Sequence, residues 1–161
     1  MTLRVRPARL DDAAAMSQVL IASITQLCAA DHGDDPGAIA AWTANKTPEG
    51  VLAMLVNPHS LIFVAEREGA IVGVGALSHD GMVTLNYVSP EARHTGVSKA
   101  LLARLESELI QLGHMEGRLE ATATAAGFYR RAGWIADGPR ATGRRVNGFP
   151  MRKILGAGNP A

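Results

Sequence analysis

Apolar positions in the first third of the chain recur at helical spacing. Residues 13–30 carry one continuous apolar side, and Asp11 and Asp12 just before them can act as N-caps, so a long amphipathic helix is predicted there. That side consists of Met16, Leu20, Ile21, Ile24 and Leu27. Two shorter helices are predicted after Asp35 and Thr47, because each of these capping residues is followed by a proline.

The middle of the chain changes to extended spacing. Short apolar runs at residues 61–65, 71–77 and 82–88 predict three strands, and the alternating residues 3–6 predict another. Short turn sequences separate the three central runs, which favours an antiparallel meander. Since these runs do not alternate cleanly between apolar and polar residues, both faces of the sheet are expected to be buried.

The last third returns to a helical pattern and then to strands. A leucine stripe predicts a helix over residues 98–112, followed by a strand at 117–122 and a helix at 125–132. Final strands are predicted at 134–136 and 149–154. Because a long helix joins the strand ending at Val88 to the next strand, these two strands should run parallel. The fold class is therefore a mixed α/β sheet flanked by helices.

Composition narrows the class of protein. The chain has 161 residues, which suits one domain over residues 1–155 with a flexible tail at 156–161. A net charge of +1 argues against a nucleic-acid partner, which would normally select a strong basic excess. One cysteine excludes an internal disulfide framework, and no apolar run is long enough for a membrane span. We therefore expect a cytoplasmic protein without membrane contacts or a structural metal.

The segment from Val88 to Ser98 is the strongest chemical signal. A buried strand meets a short loop, a glycine at position 96 and the first turn of the leucine-striped helix. The start of a helix leaves backbone N–H groups unpaired and carries partial positive charge, so it is suited to bind an anion. Arg93, His94 and Lys99 add basic groups, and residues 92–104 contain no carboxylate. The alternative is an ordinary loop with a glycine before a capped helix.

Other phosphate-binding motifs fit the sequence less well. The chain has no Gly-Lys-Ser/Thr sequence, which excludes a P-loop. Gly73 and Gly75 lie inside a predicted strand that leads to a hairpin, so they do not form a dinucleotide fingerprint. They indicate instead a close approach of another backbone or a ligand.

Two segments resemble motifs of the GNAT superfamily of N-acetyltransferases. Residues 88–102 are similar to its acyl-CoA motif: Val-x-Pro after a strand, then Arg/Gln-x-x-Gly-x-Gly/Ala and a Leu-Leu helix. Ser98 departs from that pattern, where glycine or alanine is commoner, but serine is also small. Residues 119–134 resemble the last motif of the superfamily, with Phe-Tyr followed by Gly-Trp. Both motifs occur in the expected order, and the predicted elements match along nearly the whole chain.

The resemblance implies a fold, a cosubstrate and a reaction. It implies that the parallel strands splay apart and that the pantetheine arm of acetyl-CoA pairs with the backbone near Asn86–Val88. Acetyl transfer to an amine would proceed by direct attack, with a backbone amide near Val88 polarising the acyl carbonyl. Tyr129 matches the position that often protonates the leaving thiolate, although it could merely pack on the cosubstrate or the core. The residues implied to hold the cosubstrate are Tyr87, Val88, Arg93, His94, Thr95, Gly96, Val97, Ser98 and Lys99.

The sequence does not decide which residues bind or deprotonate the acceptor amine. Candidate bases are His79 and Asp80 at the hairpin, and Asp31, His32 and Asp34 after the first helix. His32 and Trp42 resemble residues that wall the acceptor cleft in some relatives, and Asn86 is a further candidate; each could equally be a structural residue. Five arginines could meet the 3′-phosphate of CoA or simply face solvent: Arg130, Arg131, Arg140, Arg144 and Arg145.

Three functions are consistent with these patterns. The first is an N-acetyltransferase acting on a primary amine of a small molecule. The second is a CoA-binding regulatory module without turnover, which the lack of an obvious base favours. The third is acetylation of a protein N-terminus or lysine, which needs a more open cleft than two short helices over residues 35–57 would leave. A homodimer is possible.

Overall fold

The computed structural model describes residues 2–143 and 147–156. The strands are β1 (Leu3–Pro7), β2 (Ser60–Arg67), β3 (Ala70–Ser78), β4 (Val83–Val88), β5 (Glu116–Ala121), β6 (Ile135–Ala136) and β7 (Phe149–Ile154). The helices are α1 (Ala13–Leu27), α2 (Ala29–His32), α3 (Pro36–Thr43), α4 (Pro48–Leu55), α5 (Val97–Gln111) and α6 (Ala126–Arg131). Arg144, Arg145 and nearly all of the predicted tail lie outside the described residues. None of the helices within these ranges is long and apolar enough to cross a membrane.

The strands form two sheets that meet along one parallel contact. β1, β2, β3 and β4 make an antiparallel meander in that order, and β5, β7 and β6 make a second antiparallel sheet. A parallel bridge between Met82 and Arg118 joins the start of β4 to β5, and the N–H of Arg118 donates to the carbonyl of Gly81 over 3.0 Å. Beyond this bridge no ladder pairing joins the two strands within the described residues. The predicted parallel pair is therefore confirmed, and it splays into a gap.

Helix α5 packs very closely on the middle of β3. A Cβ atom at Gly73 would lie 2.7 Å from Cγ1 of Val97 and 2.8 Å from Cδ1 of Leu101. At Gly75 it would lie 3.2 Å from Cδ2 of Leu101. The close approach expected from these two glycines is thus made by the first turns of α5, which are held directly against the sheet.

Apolar side chains cover both faces of the meander, as the sequence predicts. On one face the leucine stripe of α5 packs with Phe63, Leu77 and Trp134. On the other face α1 and α4 pack on the sheet through Met16, Leu20 and Val51, which are at most 1% exposed. Burial of this kind stabilises a domain by roughly 25 cal/mol for each Å² of apolar surface removed from water. The sheet edge that faces the gap is consequently held from both sides.

The predicted C-terminal end of the first helix is wrong. Instead of running over residues 13–30, α1 ends at Leu27, Cys28 adopts a non-helical conformation, and a separate one-turn helix α2 follows. Gly33, with φ of 61°, ends α2. After the break, Asp31 in α2 contacts the loop that follows β5, a tertiary contact that periodicity alone does not reveal.

The capping predictions have a mixed outcome. The side chains of Asp35 and Thr47 accept the N–H groups of Ala38 and Gly50 at 2.8 and 3.0 Å, which confirms both caps. Asp12 occupies the N-cap position of α1, but its side chain makes no cap hydrogen bond there. Its carboxylate instead accepts from Nη1 of Arg6 at 2.8 Å and from the N–H of Arg9 at 2.7 Å.

Candidate active site

A cavity of about 280 Å³ lies where the splayed strands, the start of α5 and helix α6 meet. Of the residues predicted to bind the cosubstrate or to catalyse, all but Thr95 line it: Tyr87, Val88, Arg93, His94, Gly96, Val97, Ser98, Lys99 and Tyr129. Asn86 lines it as well. The fold therefore brings together residues that are more than thirty positions apart in the chain, as the two sequence motifs together predict.

The turn between β4 and α5 forms a cradle of backbone N–H groups. After a single 3₁₀ turn at Pro90–Ala92, His94 and Gly96 adopt positive φ angles of 64° and 89°. Helix α5 starts at Val97, and its first intrahelical bond runs from the N–H of Ala100 to the carbonyl of Gly96 over 3.0 Å. The N–H groups of residues 97–99 therefore have no intrahelical acceptor, as at any helix start. A Cβ atom at Gly96 would meet no atom within 4 Å, so open space adjoins the cradle.

The charges around the cavity match an anionic ligand. Arg93, His94, Lys99 and Arg131 line it, and within residues 2–143 and 147–156 no aspartate or glutamate does. The partial positive charge at the start of α5 adds to this field. Of the other candidate arginines, Arg140 lies over the ring of Phe149 at 4.5 Å and donates to the carbonyl of Asn147 at 2.9 Å. A diphosphate with an adjacent phosphate group suits such a cavity better than a cation would.

Thr95 supports the cradle from outside the cavity. Its hydroxyl donates to the carbonyl of Ala92 and accepts from Nη1 of Arg67 at 3.0 Å. Nη2 of Arg67 also donates to the carbonyl of Thr95 over 3.4 Å. Sequence reasoning missed Arg67, because it lies on β2 and nothing local marks a contact with a loop 28 positions later.

Tyr129 is held deep in the cavity wall as a neutral phenol. It is 6% exposed and packs edge-on against Phe128 and Trp134, with ring centroids 5.2 and 6.0 Å away. Burial raises the pKa of its hydroxyl to about 12, and the neighbouring Asn86 amide lowers it in part. The phenol is therefore protonated across the physiological range, as a proton donor must be.

Tyr87 points to the other side of β4. Its side chain packs against the cluster of Ile24, Cys28 and Trp42 beneath α1 and α3. Burial raises the pKa of its hydroxyl well above the ordinary value, so this phenol is also neutral. Burial likewise raises the pKa of the Cys28 thiol to about 12, so Cys28 lines the cavity as a neutral thiol rather than as a nucleophile.

Asp31 forms a clamp between the two halves of the structure. Its carboxylate accepts hydrogen bonds from the N–H of Ala123 at 2.6 Å, from the N–H of Thr124 at 3.1 Å and from the hydroxyl of Thr124 at 2.7 Å. We call these contacts the Asp31 clamp. They connect α2 to the loop that follows β5, next to cavity residues Cys28 and Ala125. A carboxylate that already accepts three hydrogen bonds is poorly placed to act as a free base.

His32 and Trp42 lie in the interior behind the cavity and do not line it. His32 is 6% exposed, its Nε2 donates to the carbonyl of Ile24 at 2.7 Å, and its Nδ1 accepts from the N–H of Asp34 at 3.0 Å. This pair of bonds fixes a neutral tautomer with the proton on Nε2. Trp42 packs edge-on against the His32 ring at 6.1 Å.

The hairpin residues are also outside the cavity. His79 is exposed, and its carbonyl accepts from Nε2 of His114 at 2.7 Å. The side chain of Asp80 accepts from the Ser78 hydroxyl, which lowers the pKa of the carboxyl. Among the residues predicted for the acceptor side, the structure brings only Asn86 to the cavity. The sequence did not point to three other lining residues at the end of α1, Ser23, Leu27 and Cys28.

Comparison with known proteins agrees with this geometry. Residues 13–155 match the family described as the acetyltransferase (GNAT) domain. A GCN5-related N-acetyltransferase from Rhodopseudomonas palustris superposes with a TM-score of 0.84 at 26% identity, covering 96% of this chain and 97% of that one. The PaiA N-acetyltransferase of Thermoplasma acidophilum, solved with coenzyme A, gives 0.83 at 20% identity, covering 96% and 100%.

A curated relative is more similar in sequence over a shorter stretch. The IAA acetyltransferase of Azospirillum brasilense is 34% identical in an alignment of 96 residues that covers 55% of this chain and 63% of that protein. The match thus spans less than two thirds of that relative. The family match, by contrast, takes in both sequence motifs and nearly every element of the fold. The chain belongs to the GNAT acetyltransferase family.

Proposed function

We propose that the protein transfers the acetyl group of acetyl-CoA to a primary amine of a small molecule by direct attack. The observation that carries the proposal is the single cavity in which the N–H cradle of α5, the free edge of β4 and the Tyr129 hydroxyl meet. Acetyl-CoA needs these three features: a site for its diphosphate, a strand edge for its amides and a proton donor at its sulfur.

Binding is the first task of these residues. The N–H groups of residues 97–99 and the side chains of Arg93 and Lys99 would hold the diphosphate. β4 pairs with β3 on one side, and beyond Met82 its other edge faces the gap to β5. Backbone groups of residues 86–88 on that edge can pair with the amides of the pantetheine arm, as an added strand would.

The chemical step moves one proton from nitrogen to sulfur. A neutral amine attacks the carbonyl carbon of the thioester; the C–N bond forms, the C–S bond breaks, and the thiolate takes the proton of Tyr129. The amine releases its proton to water, and water returns one to the phenolate. A backbone N–H near Val88 would stabilise the negative charge that develops on the acyl oxygen. Among the described residues that line the cavity, His94 in the phosphate cradle is the one with a carboxylate or imidazole side chain, so the proposed step starts from an amine that arrives neutral.

The Asp31 clamp supports a small acceptor. It ties α2 to the loop after β5, so that the end of the cavity near Ser23 and Cys28 is bridged rather than open. An extended polypeptide would need an open groove on this side. A small primary amine needs only enough room to reach the thioester.

The test combines binding and turnover on the purified full chain. Calorimetry should show acetyl-CoA binding, and thiol release should depend on the amine in a panel of small primary amines. A folded protein that does not bind acetyl-CoA would contradict the proposal. Binding without thiol release for any amine, small or peptide, would favour the CoA-binding module instead, and release with peptides alone would favour a protein acceptor.

A further inference from the structure

The side chain of Arg67 holds the loop that forms the phosphate cradle. Arg67 is the last residue of β2, and it pairs with Leu3 of β1 on one side and with Ala70 of β3 on the other. Its guanidinium contacts a loop 28 positions later, where Nη1 donates to the hydroxyl of Thr95 at 3.0 Å and Nη2 donates to the carbonyl of Thr95 at 3.4 Å. One planar group therefore binds a single loop residue at two points, from a strand that is paired on both edges.

The loop residues next to Thr95 have few other hydrogen bonds. Among the described residues, neither His94 nor Thr95 takes part in a backbone–backbone hydrogen bond. The hydroxyl of Thr95 donates to the carbonyl of Ala92, which is a contact within the loop itself. Within the part of the chain that the structure describes, the two bonds from Arg67 are therefore the hydrogen bonds that tie His94 and Thr95 to the sheet.

The backbone held in this way is one that a chain does not adopt readily. Thr95 lies between His94, with φ of 64°, and Gly96, with φ of 89°. A residue other than glycine is strained in this left-handed region, and such conformations persist where the surroundings fix them. A hold on Thr95 keeps both neighbours in place, and with them the N–H groups that lead into α5. A site that is ordered before binding leaves the ligand a smaller loss of entropy to overcome.

We propose that Arg67 is a positioning residue for acetyl-CoA: by holding Thr95 at two points, it sets the conformation of the cradle before the diphosphate arrives. Arg67 does not line the cavity, so it acts through the loop rather than by touching the cosubstrate. The inference rests on the proposed use of this loop as the diphosphate site. It adds a residue of β2, outside both sequence motifs, to the groups that determine affinity for the cosubstrate.

Arg67→Lys and Arg67→Gln separate a hold on the loop from a simple positive charge. Lysine keeps the charge but lacks the planar fork that binds two oxygens of one residue. In calorimetry both variants should bind acetyl-CoA about fivefold more weakly, because two exposed hydrogen bonds to the loop are lost. At saturating acetyl-CoA kcat should stay within about twofold, since an interaction that affects binding alone raises KM and leaves kcat unchanged. The melting temperature should stay level, because the bonds that are lost lie at the surface.

Two further variants check the route of the effect and its charge. Thr95→Val should weaken binding about threefold, and combined with Arg67→Gln it should lose less than the product of the two single losses, because either change removes the bond between these side chains. Arg4→Gln is the control for charge. Arg4 is an exposed arginine on β1, next to the ladder partner of Arg67, and its loss should change the affinity less than about 1.5-fold.

Wild-type affinity in Arg67→Lys would overturn the inference, because the charge alone would then suffice. An equal loss in Arg4→Gln would do the same. Calorimetry with 3′-dephospho-CoA provides another arm: the fivefold loss should persist, and its disappearance would mean that Arg67 contacts the 3′-phosphate directly. A fall in melting temperature together with a fall in kcat would indicate a residue kept for the fold.

Gly96→Ala, measured in the same series, separates this inference from the proposed site itself. If Gly96→Ala weakens acetyl-CoA binding and the Arg67 variants do not, the role of Arg67 is wrong and the site stands. If none of these variants changes binding, the loop is not the diphosphate site, and the proposed function loses the feature that holds its cosubstrate.

Discussion

The carboxylate of Asp31 accepts both the backbone N–H and the hydroxyl of Thr124, which lies 93 positions later in the chain. This pair connects the helical N-terminal segment to the loop after β5, beside the active-site cavity. Hydrogen bonds to a charged group contribute about 1.5–3 kcal/mol each, so one side chain holds a substantial part of this junction.

Asp31→Ala should destabilise the fold and widen the range of acceptors. We expect a loss of about 4.5 kcal/mol in the free energy of unfolding, because three hydrogen bonds to a charged group disappear together. Thr124→Val removes only the hydroxyl and should lose about 1.5 kcal/mol. Urea denaturation measures both. Relative kcat/KM for bulky and small amines should shift toward the bulky ones in Asp31→Ala; an unchanged preference would mean that the clamp does not limit the acceptor.

Tyr129→Phe should lower kcat about 100-fold while leaving the affinity for acetyl-CoA intact, since general acid catalysis contributes on that order. The phenylalanine preserves the ring packing against Phe128 and Trp134. Turnover must be compared under conditions where the chemical step limits the rate, for instance with a weakly nucleophilic amine. Equal rates for both proteins there would exclude a proton-donating role.

Gly96→Ala should weaken acetyl-CoA binding on the order of tenfold, or about 1.4 kcal/mol. The added methyl group would stand in the open space beside the cradle, and the φ of 89° becomes strained. Gly69 in the hairpin between β2 and β3 is a matched control, with φ of 80° and equally open surroundings. Gly69→Ala should lose similar stability, about 1–2 kcal/mol, yet bind normally. Equal weakening by both variants in calorimetry would remove the cradle from the site.

The two tyrosines of the chain should resist ionisation in the folded protein. Burial raises the pKa of Tyr129 from 10.0 to about 12 and shifts that of Tyr87 in the same direction. Each contributes stability that is complete below pH 10.0 and is lost as the pH rises through the folded pKa, because the unfolded phenol ionises first. Phenolate absorbance in a pH titration should therefore appear together with unfolding. Reversible ionisation of either tyrosine near its ordinary pKa in folded protein would contradict the burial described.

Asp12→Asn should destabilise the protein at neutral pH by about 3 kcal/mol, because it breaks a buried ion pair. The Arg6 guanidinium hydrogen-bonded to Asp12 lowers the pKa of that carboxyl below 3.8. Its contribution is present above that pH and is lost as the pH falls through the folded pKa, so the two proteins should converge in strong acid. Asp11→Asn is the control: its side chain is 85% exposed, and a change of less than about 0.5 kcal/mol is expected in the same denaturation series.

Features encoded in contiguous sequence were predictable, and those that depend on distant contacts were not. The segment from Val88 into α5 shows the pattern of a strand, a glycine and a helix in contiguous sequence, and the structure confirms these elements. The break after Leu27 and the Asp31 clamp involve contacts with the loop after β5, and no pattern in the sequence around Leu27 or Asp31 predicts these contacts. Histidine is a suitable residue type for a general base, but both ring nitrogens of His32 are hydrogen-bonded to backbone groups. This could be seen only in the three-dimensional structure.

The glycines in β3 extend the binding site into the core. At position 73 a methyl group would collide with Cγ1 of Val97 and Cδ1 of Leu101, so these side chains, or the end of the helix that carries them, would have to shift away from the sheet. A shift of the helix would carry the amides of the cradle with it. Gly73 does not line the cavity, yet a larger residue there would disturb both the packing of the core and the geometry of the cradle.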